Sequence, residues 1–195
     1  MSNKGFMILL AAIVIGAVGF IVVNQKSKPK EVIIGVQHAD QGQDHIALGQ
    51  KHKAYNSEPA SSGPHRNDVG APTPWGVYTE ELTPEVYVHN EEHGGVIFTY
   101  NPTLLSPADL KKLQALFVPP YSNKNFTPSK ALVFPRAADT HAIQAAAWTY
   151  TLSLDHYDEA TLMKFYLQRV GQSPEPSAGP NNTPINQAAT TPATP

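Results

Sequence analysis

The sequence predicts an α+β domain in which a small, mostly antiparallel sheet has two helices packed on one side. Three observations support this prediction and the prediction of one N-terminal transmembrane helix. Strand-like apolar runs alternate along the chain with two amphipathic helical patterns, which is the order of an α+β fold. Eighteen prolines and thirteen glycines among 195 residues indicate a loop-rich chain. An uncharged run over residues 5–23 precedes all of these elements.

Residues 5–23, GFMILLAAIVIGAVGFIVV, are long enough to cross a membrane as a helix. At about 1.5 Å per residue the run nearly matches the hydrocarbon core of a bilayer, about 30 Å thick. A cleaved signal peptide has a shorter apolar region and a small-x-small cleavage site, which FIVVN at residues 20–24 does not offer. We therefore expect residues 1–31 to be a short tail, an uncleaved anchor and a basic flank of a single-pass cell-membrane protein.

The charges beside this anchor leave its orientation open. Lys4 precedes the run and three lysines follow it, so the positive-inside rule leans towards a cytoplasmic domain. A short N-terminal tail before one span is nevertheless typical of a signal anchor. The domain is also rich in histidine and free of cysteine, which fits an oxidising compartment. We expect the domain to be extracytoplasmic.

The composition excludes several classes of function. Cysteine is absent, which removes disulfides, thiolate metal sites and a cysteine nucleophile. Residues 32–195 carry ten Lys and Arg against fifteen Asp and Glu, a net charge of −5. A mildly acidic domain without a basic stripe binds nucleic acid poorly. We expect no nucleic-acid partner, and the sequence identifies no protein partner.

The first half of the domain is predicted to consist of short strands and loops. A β-branched run predicts a strand over residues 31–36, and a second strand is predicted over residues 85–89. Turn-forming residues dominate between them, with at most one short helix near residues 45–50. The run VIFTY at residues 96–100 predicts a further strand.

Capping signals predict two helices in the second half. Ser106 and the proline after it start the first helix, whose buried stripe is Leu110, Leu113, Leu116 and Phe117. Asp158 and Glu159 start the second, which Gly171 ends. One strand is predicted over residues 131–135 and one long strand over residues 145–154.

The last part of the chain has a different composition. Residues 171–195 contain six prolines and no apolar periodicity, so we expect this tail to be disordered. The predicted globular domain is therefore residues 32–170.

Histidines are concentrated in one third of the chain. Six of the eight lie within residues 36–100: His38, His45, His52, His65, His89 and His93. Imidazole binds metals or moves protons at neutral pH. Two of these histidines stand with two carboxylates in the stretch YVHNEEHGG, residues 87–95.

We predict a site that binds one transition metal. Its expected ligands are His65, His89 and His93, which the sequence places on rigid turns, and the fourth is His45, His38, Glu92 or water. Nitrogen and oxygen ligands without sulfur suit Zn(II) or Cu(II). Copper or zinc is therefore the expected cofactor.

Two other interpretations stay open. His89, Glu92 and His93 spell His-x-x-Glu-His, the order of inverzincin peptidases, in which the glutamate is the general base. That motif requires a long helix, whereas two glycines directly after His93 end any helix. Alternatively, the histidines brace buried loops of a metal-free envelope binding module. Whether the protein is an enzyme is left open.

Three motifs resemble a bacterial family, the domain-of-unknown-function family thirty-one-oh-five. They are YNSEPASSGPH, PWGVY and VHNEEHGGVIFTYNP, in that order, within about residues 32–175. The resemblance makes His65, His89, Glu92 and His93 family motif residues, and His45 looks like the histidine that precedes the first motif. Many members look like single-span membrane proteins, and the family often has leucine in place of Glu91. The resemblance implies no established activity.

Overall fold

The structure is a computed structural model that describes residues 31–177 and 185–186. The predicted anchor, residues 5–23, lies outside these residues, as does most of the predicted tail. Within the described part of the chain, no helix combines the length and the apolar character needed to cross a membrane. The elements below belong to one compact unit, which begins at Ile34.

The described residues form nine strands. They are β1 (Val36–Gln37), β2 (His45–Ile46), β3 (His65–Arg66), β4 (Gly76–Val77), β5 (Val96–Tyr100), β6 (Ala131–Pro135), β7 (Ile143–Ala147), β8 (Tyr150–Leu154) and β9 (Ile185–Asn186). Seven of them make one sheet in the order β1-β8-β7-β5-β6-β4-β9. Pairing is antiparallel from β1 to β5 and parallel from β5 to β9. Within this sheet the larger share of the paired residues is antiparallel. Strands β2 and β3 form a separate parallel pair.

Three helices lie within the described residues: α1 (Pro84–Glu92), α2 (Pro107–Phe117) and α3 (Glu159–Arg169). The predicted α+β class is confirmed, and so are the two C-terminal helices. Ser106 accepts the N–H of Asp109 to cap α2, and Asp158 accepts the N–H of Thr161 to cap α3. The strands predicted over residues 96–100 and 131–135 are β5 and β6.

The strand predicted over residues 85–89 is wrong, because this segment is helix α1. Pro84 occupies the first turn, where its fixed φ favours a helix, and Glu85 adds a favourable negative charge there. The last six residues of α1 are all buried. A helix enclosed on every side shows no apolar stripe, so its sequence carries no helical period.

Three further strand and loop predictions are corrected. The single strand predicted over residues 145–154 is a hairpin, β7 and β8, that turns at Thr149 with a φ of +61°. No glycine, proline or asparagine lies at this turn, so the sequence shows one uninterrupted strand-like run. The first strand, predicted over residues 31–36, covers only Val36–Gln37. Near residues 45–50, where at most one short helix was predicted, the structure has strand β2.

The sheet divides the core into two layers. Along β5, Val96, Phe98 and Tyr100 pack with residues of α2 and α3, whereas Ile97 packs with residues of α1. Successive side chains of a strand point to opposite faces. The two predicted helices therefore cover one face, and α1 covers the other, where the histidines lie.

Candidate metal centre

The parallel pair β2–β3 brings two histidines side by side. His45 pairs with His65 in register, and their ring centroids are 4.9 Å apart. Residues paired in this way project from the same face of a sheet. The backbone N–H of His65 donates to Asp44 O at 3.0 Å, which fixes this register.

Helix α1 supplies two more side chains to the same point. His89 and Glu92 are three residues apart in its last turn, so they share one face. His89 Nδ1 donates to the backbone oxygen of Arg66 in β3 at 2.5 Å, which ties the helix to the strand. The His89 ring centroid lies 4.8 Å from that of His65 and 5.3 Å from that of His45.

Two glycines end α1 directly behind these residues. Gly94 has a φ of +82° and donates its N–H to Glu91 O at 2.9 Å, which closes the helix in the left-handed conformation. A Cβ on Gly95 would lie 2.5 Å from the ring of the fully buried Trp75. The glycine pair therefore lets the chain turn tightly from α1 into β5.

One carboxylate oxygen lies among the three imidazoles. Glu92 Oε2 is 3.0 Å from Nε2 of His65, 3.6 Å from Nε2 of His45 and 3.9 Å from Nε2 of His89. One potential ligand atom from each of the four residues lies within 4.8 Å of those of the others. Four ligands at about 2.0–2.1 Å around a tetrahedral zinc ion lie about 3.4 Å apart, so small side-chain movements would close the site around an ion.

The hydrogen bonds of the rings orient their lone pairs towards this oxygen. His65 Nδ1 donates to Gly63 O at 2.8 Å, and His89 Nδ1 donates to Arg66 O. In neutral rings this leaves both Nε2 atoms as acceptors, the tautomer of a metal-bound histidine. Acceptor atoms that face one another need a positive charge between them. A proton could bridge only one pair of these acceptor atoms, whereas a metal ion could be bound by all of them.

Burial sets the protonation states that the site favours. His65, His89 and Glu92 are at most 2% exposed, whereas the side chain of His45 is 44% exposed. Burial lowers the pKa of His65, and it lowers the pKa of His89 to about 4, so both are neutral at pH 7. Burial, with a contribution from Glu175, raises the pKa of Glu92. A cation would favour the ionised carboxylate and displace its proton.

The structure groups the predicted site residues differently from the sequence. His45, His65, His89 and Glu92 lie together, whereas His93 belongs to a neighbouring group with Glu92 and Glu175. His38 is not part of either group, because its Nε2 is hydrogen-bonded to Thr151 Oγ1 at 2.8 Å.

Glu175 is the site residue that sequence reasoning missed. Its backbone N–H donates to Glu92 O at 3.0 Å, and its Oε2 lies 3.6 Å from His93 Nε2. It falls in the segment predicted to be disordered, where proline and serine hide any structural signal. The only available sign was the family resemblance, which extends to about residue 175.

The neighbouring Glu91 is not directed at the site. It is fully buried, neither of its carboxyl oxygens has a hydrogen-bond partner within the described residues, and burial raises its pKa well above the usual range. Burial therefore favours the neutral form of Glu91, which is not one of the grouped candidate ligands.

Comparison with known proteins confirms the resemblance inferred from the three motifs. A family model described as "Protein of unknown function (DUF3105)" matches residues 45–183, well over half of the chain, and this range contains every residue of both side-chain groups. No curated protein and no solved structure matches the chain.

Proposed function

We propose that this chain, which belongs to the DUF3105 family of proteins of unknown function, binds a transition-metal ion through His45, His65, His89 and Glu92. One observation carries the proposal: one potential ligand atom from each of three histidines and from Glu92 lies within 4.8 Å of the others, with Glu92 Oε2 3.0 Å from His65 Nε2. The fixed tautomers of His65 and His89 support it.

The ligand chemistry favours copper or zinc. Three imidazoles and one carboxylate suit tetrahedral Zn(II), and Cu(II) binds the same ligand types more tightly where it is available. His45 is the exposed ligand, so an ion would enter and leave at that edge. This combination of three buried ligands with one accessible ligand fits a protein that holds and transfers a metal.

A metal-dependent hydrolase is the alternative. In that mechanism Glu92 would be a general base acting on metal-bound water. The distances from Glu92 Oε2 to three Nε2 atoms instead match those between ligands of one ion, which favours metal binding. A Glu92→Gln variant that keeps the metal but loses a hydrolytic activity would favour the hydrolase.

We also propose that residues 5–23 anchor the protein in the cell membrane with its domain outside the cytoplasm. The uncharged run supports the anchor, and the short N-terminal tail before it, together with the cysteine-free, histidine-rich domain, supports the extracytoplasmic side. Sedimentation with membranes after an alkaline wash tests the anchor. Protease digestion of intact spheroplasts tests the side, because only an extracytoplasmic domain would be cleaved.

Metal content is the decisive measurement. The full chain is purified in detergent without a histidine tag, exposed separately to zinc and to copper, dialysed, and measured by elemental analysis. We expect bound metal whose amount falls in His65→Gln and in His45→Gln and is unchanged in His38→Gln. Wild-type protein that keeps no metal would overturn the proposal. Equal metal content in all four proteins would overturn the assigned ligands.

A further inference from the structure

We infer that the centre is dinuclear: a second metal ion binds beside the first between His93 and Glu175, and Glu92 bridges the two ions. This inference rests on the proposed metal binding. It assigns a role to His93, which the first group of ligands leaves out.

Glu92 belongs to both groups of candidate ligands. One group is His45, His65, His89 and Glu92, and the other is Glu92, His93 and Glu175. A carboxylate has two oxygen atoms and about four lone-pair positions, enough to bind one ion on each side. The ring centroids of His89 and His93 are 4.5 Å apart, so the two groups are direct neighbours. Two-metal sites hold their ions about 3.5–4 Å apart, which is compatible with a single bridging carboxylate here.

His93 lacks the hydrogen bonds that a buried imidazole normally makes. Its side chain is only 9% exposed, and Nδ1 has no partner among the described residues. Nε2 lies 3.6 Å from Glu175 Oε2, which is too long for a hydrogen bond. The same distance is close to the spacing of about 3.4 Å between two ligands of one zinc ion. An ion between these two atoms would bind Nε2, the ring nitrogen that faces Glu175.

The backbone holds Glu175 in this position. Its N–H donates to Glu92 O at 3.0 Å, and the N–H of Gly171 donates to Gly94 O at 2.9 Å. A Cβ on Gly94 would lie 2.9 Å from the Cα of Gly171, so only glycine permits this close approach of the two segments. Segment 171–175 therefore lies along the end of α1 and brings a carboxylate to His93.

A lysine adds a second connection between the same segments. Lys130 Nζ donates to the backbone oxygens of His93 and Pro176, both at 2.7 Å. These two bonds tie the end of α1 to the segment that carries Glu175.

The two positions differ in accessibility. The first has four protein ligands, three of them buried, whereas the second has three, of which Glu175 is 52% exposed. A tetrahedral ion in the second position would keep one open coordination site for water or another small ligand. We expect this second ion to bind more weakly and to exchange first.

Zinc stoichiometry tests the inference. The full-length, untagged chain is titrated with zinc alone and its bound metal is measured after equilibrium dialysis. We expect two equivalents in the wild type and one in both His93→Gln and Glu175→Gln. Glu175 is exposed, so its variant is expected to fold normally, and the thermal unfolding of the metal-free proteins verifies this. Glu80→Gln, at another exposed glutamate, is the matched control and should retain two equivalents.

Each of the other possible results of the zinc titration would contradict a specific part of the proposals. One equivalent in the wild type, unchanged in His93→Gln and Glu175→Gln, would leave the first site intact and reject the second ion. Two equivalents in the wild type and in both variants would place the second ion elsewhere and reject the inference. No bound zinc, together with no bound copper in the elemental analysis, would reject the proposed function itself.

Discussion

A bound metal ion should stabilise this fold by an amount that can be calculated. The first group of ligands joins β2, β3 and α1, so the unfolded chain does not present the site. An ion that binds only the folded state at one hundred times its Kd adds about 2.7 kcal/mol to the free energy of unfolding. For a unit the size of Ile34–Pro195, each kcal/mol raises Tm by about 2–4 °C, which gives a rise of about 5–11 °C.

His45→Gln provides the sharpest test of this expectation. The side chain of His45 is 44% exposed, so its replacement removes a ligand with little loss of packing. We expect the Tm of the metal-free variant to stay near that of the metal-free wild type. The zinc concentration that gives the same rise in Tm should increase at least about tenfold, because loss of even a hydrogen-bond partner of a metal ligand has an effect of that size. Thermal unfolding followed by circular dichroism, over a series of zinc concentrations, measures both quantities.

The chain contains a matched control. His141 is 40% exposed and lies 2.7 Å from the carboxylate of Asp155, outside both ligand groups. His141→Gln should show the full zinc-dependent rise. If zinc raised Tm equally in His45→Gln and in the wild type, the stabilising ion would bind elsewhere and the ligand assignment would be refuted.

Three further predictions concern the stability of the metal-free protein, and each is measured by urea unfolding. Glu91→Leu should raise the free energy of unfolding by about 1–3 kcal/mol, because two buried carboxyl oxygens without partners are replaced by an apolar side chain. Gly95→Ala should lower it by about 1–3 kcal/mol, because the new methyl group would lie 2.5 Å from the Trp75 ring. Ser106→Ala should lower it by about 1 kcal/mol through loss of the cap of α2.

These predictions have clear contrary results. Unchanged stability in Gly95→Ala would show that the chain accommodates the methyl group beside Trp75 without cost. Destabilisation by Glu91→Leu would mean that this carboxyl group makes a favourable contact that its burial does not reveal. Unchanged stability in Ser106→Ala would mean that water replaces the cap.

The parts of the fold that the sequence predicted are those with local signals. Helices α2 and α3 have caps and apolar stripes, and β5 and β6 are compact apolar runs, so short segments were sufficient to define them. Helix α1 is enclosed by the rest of the protein and shows no period. The hairpin at Thr149 lacks the usual turn residues, because its conformation depends on contacts with distant segments such as the bond from its N–H to Ser61 O.

The candidate site was predictable in its residue types and not in its grouping. Histidine density and the motifs indicated His65, His89 and His93. The register between β2 and β3 decides that His45 joins the cluster, and such long-range pairing has no short sequence signature. The assignment of His93 to the second group of ligands depends on Glu175, which lies more than eighty residues further along the chain. Only the folded chain shows that these two side chains face each other.

The shortness of β2 has a consequence for how long a metal ion would stay bound. His45 lies on a strand of two residues, which contacts β3 through bonds such as that from the His65 N–H to Asp44 O. Segments with so few bonds open locally at a free energy far below that of global unfolding. We therefore expect hydrogen exchange at His65 to be faster than in the centre of β5. The same local opening, rather than unfolding of the large sheet, would set the residence time of the ion.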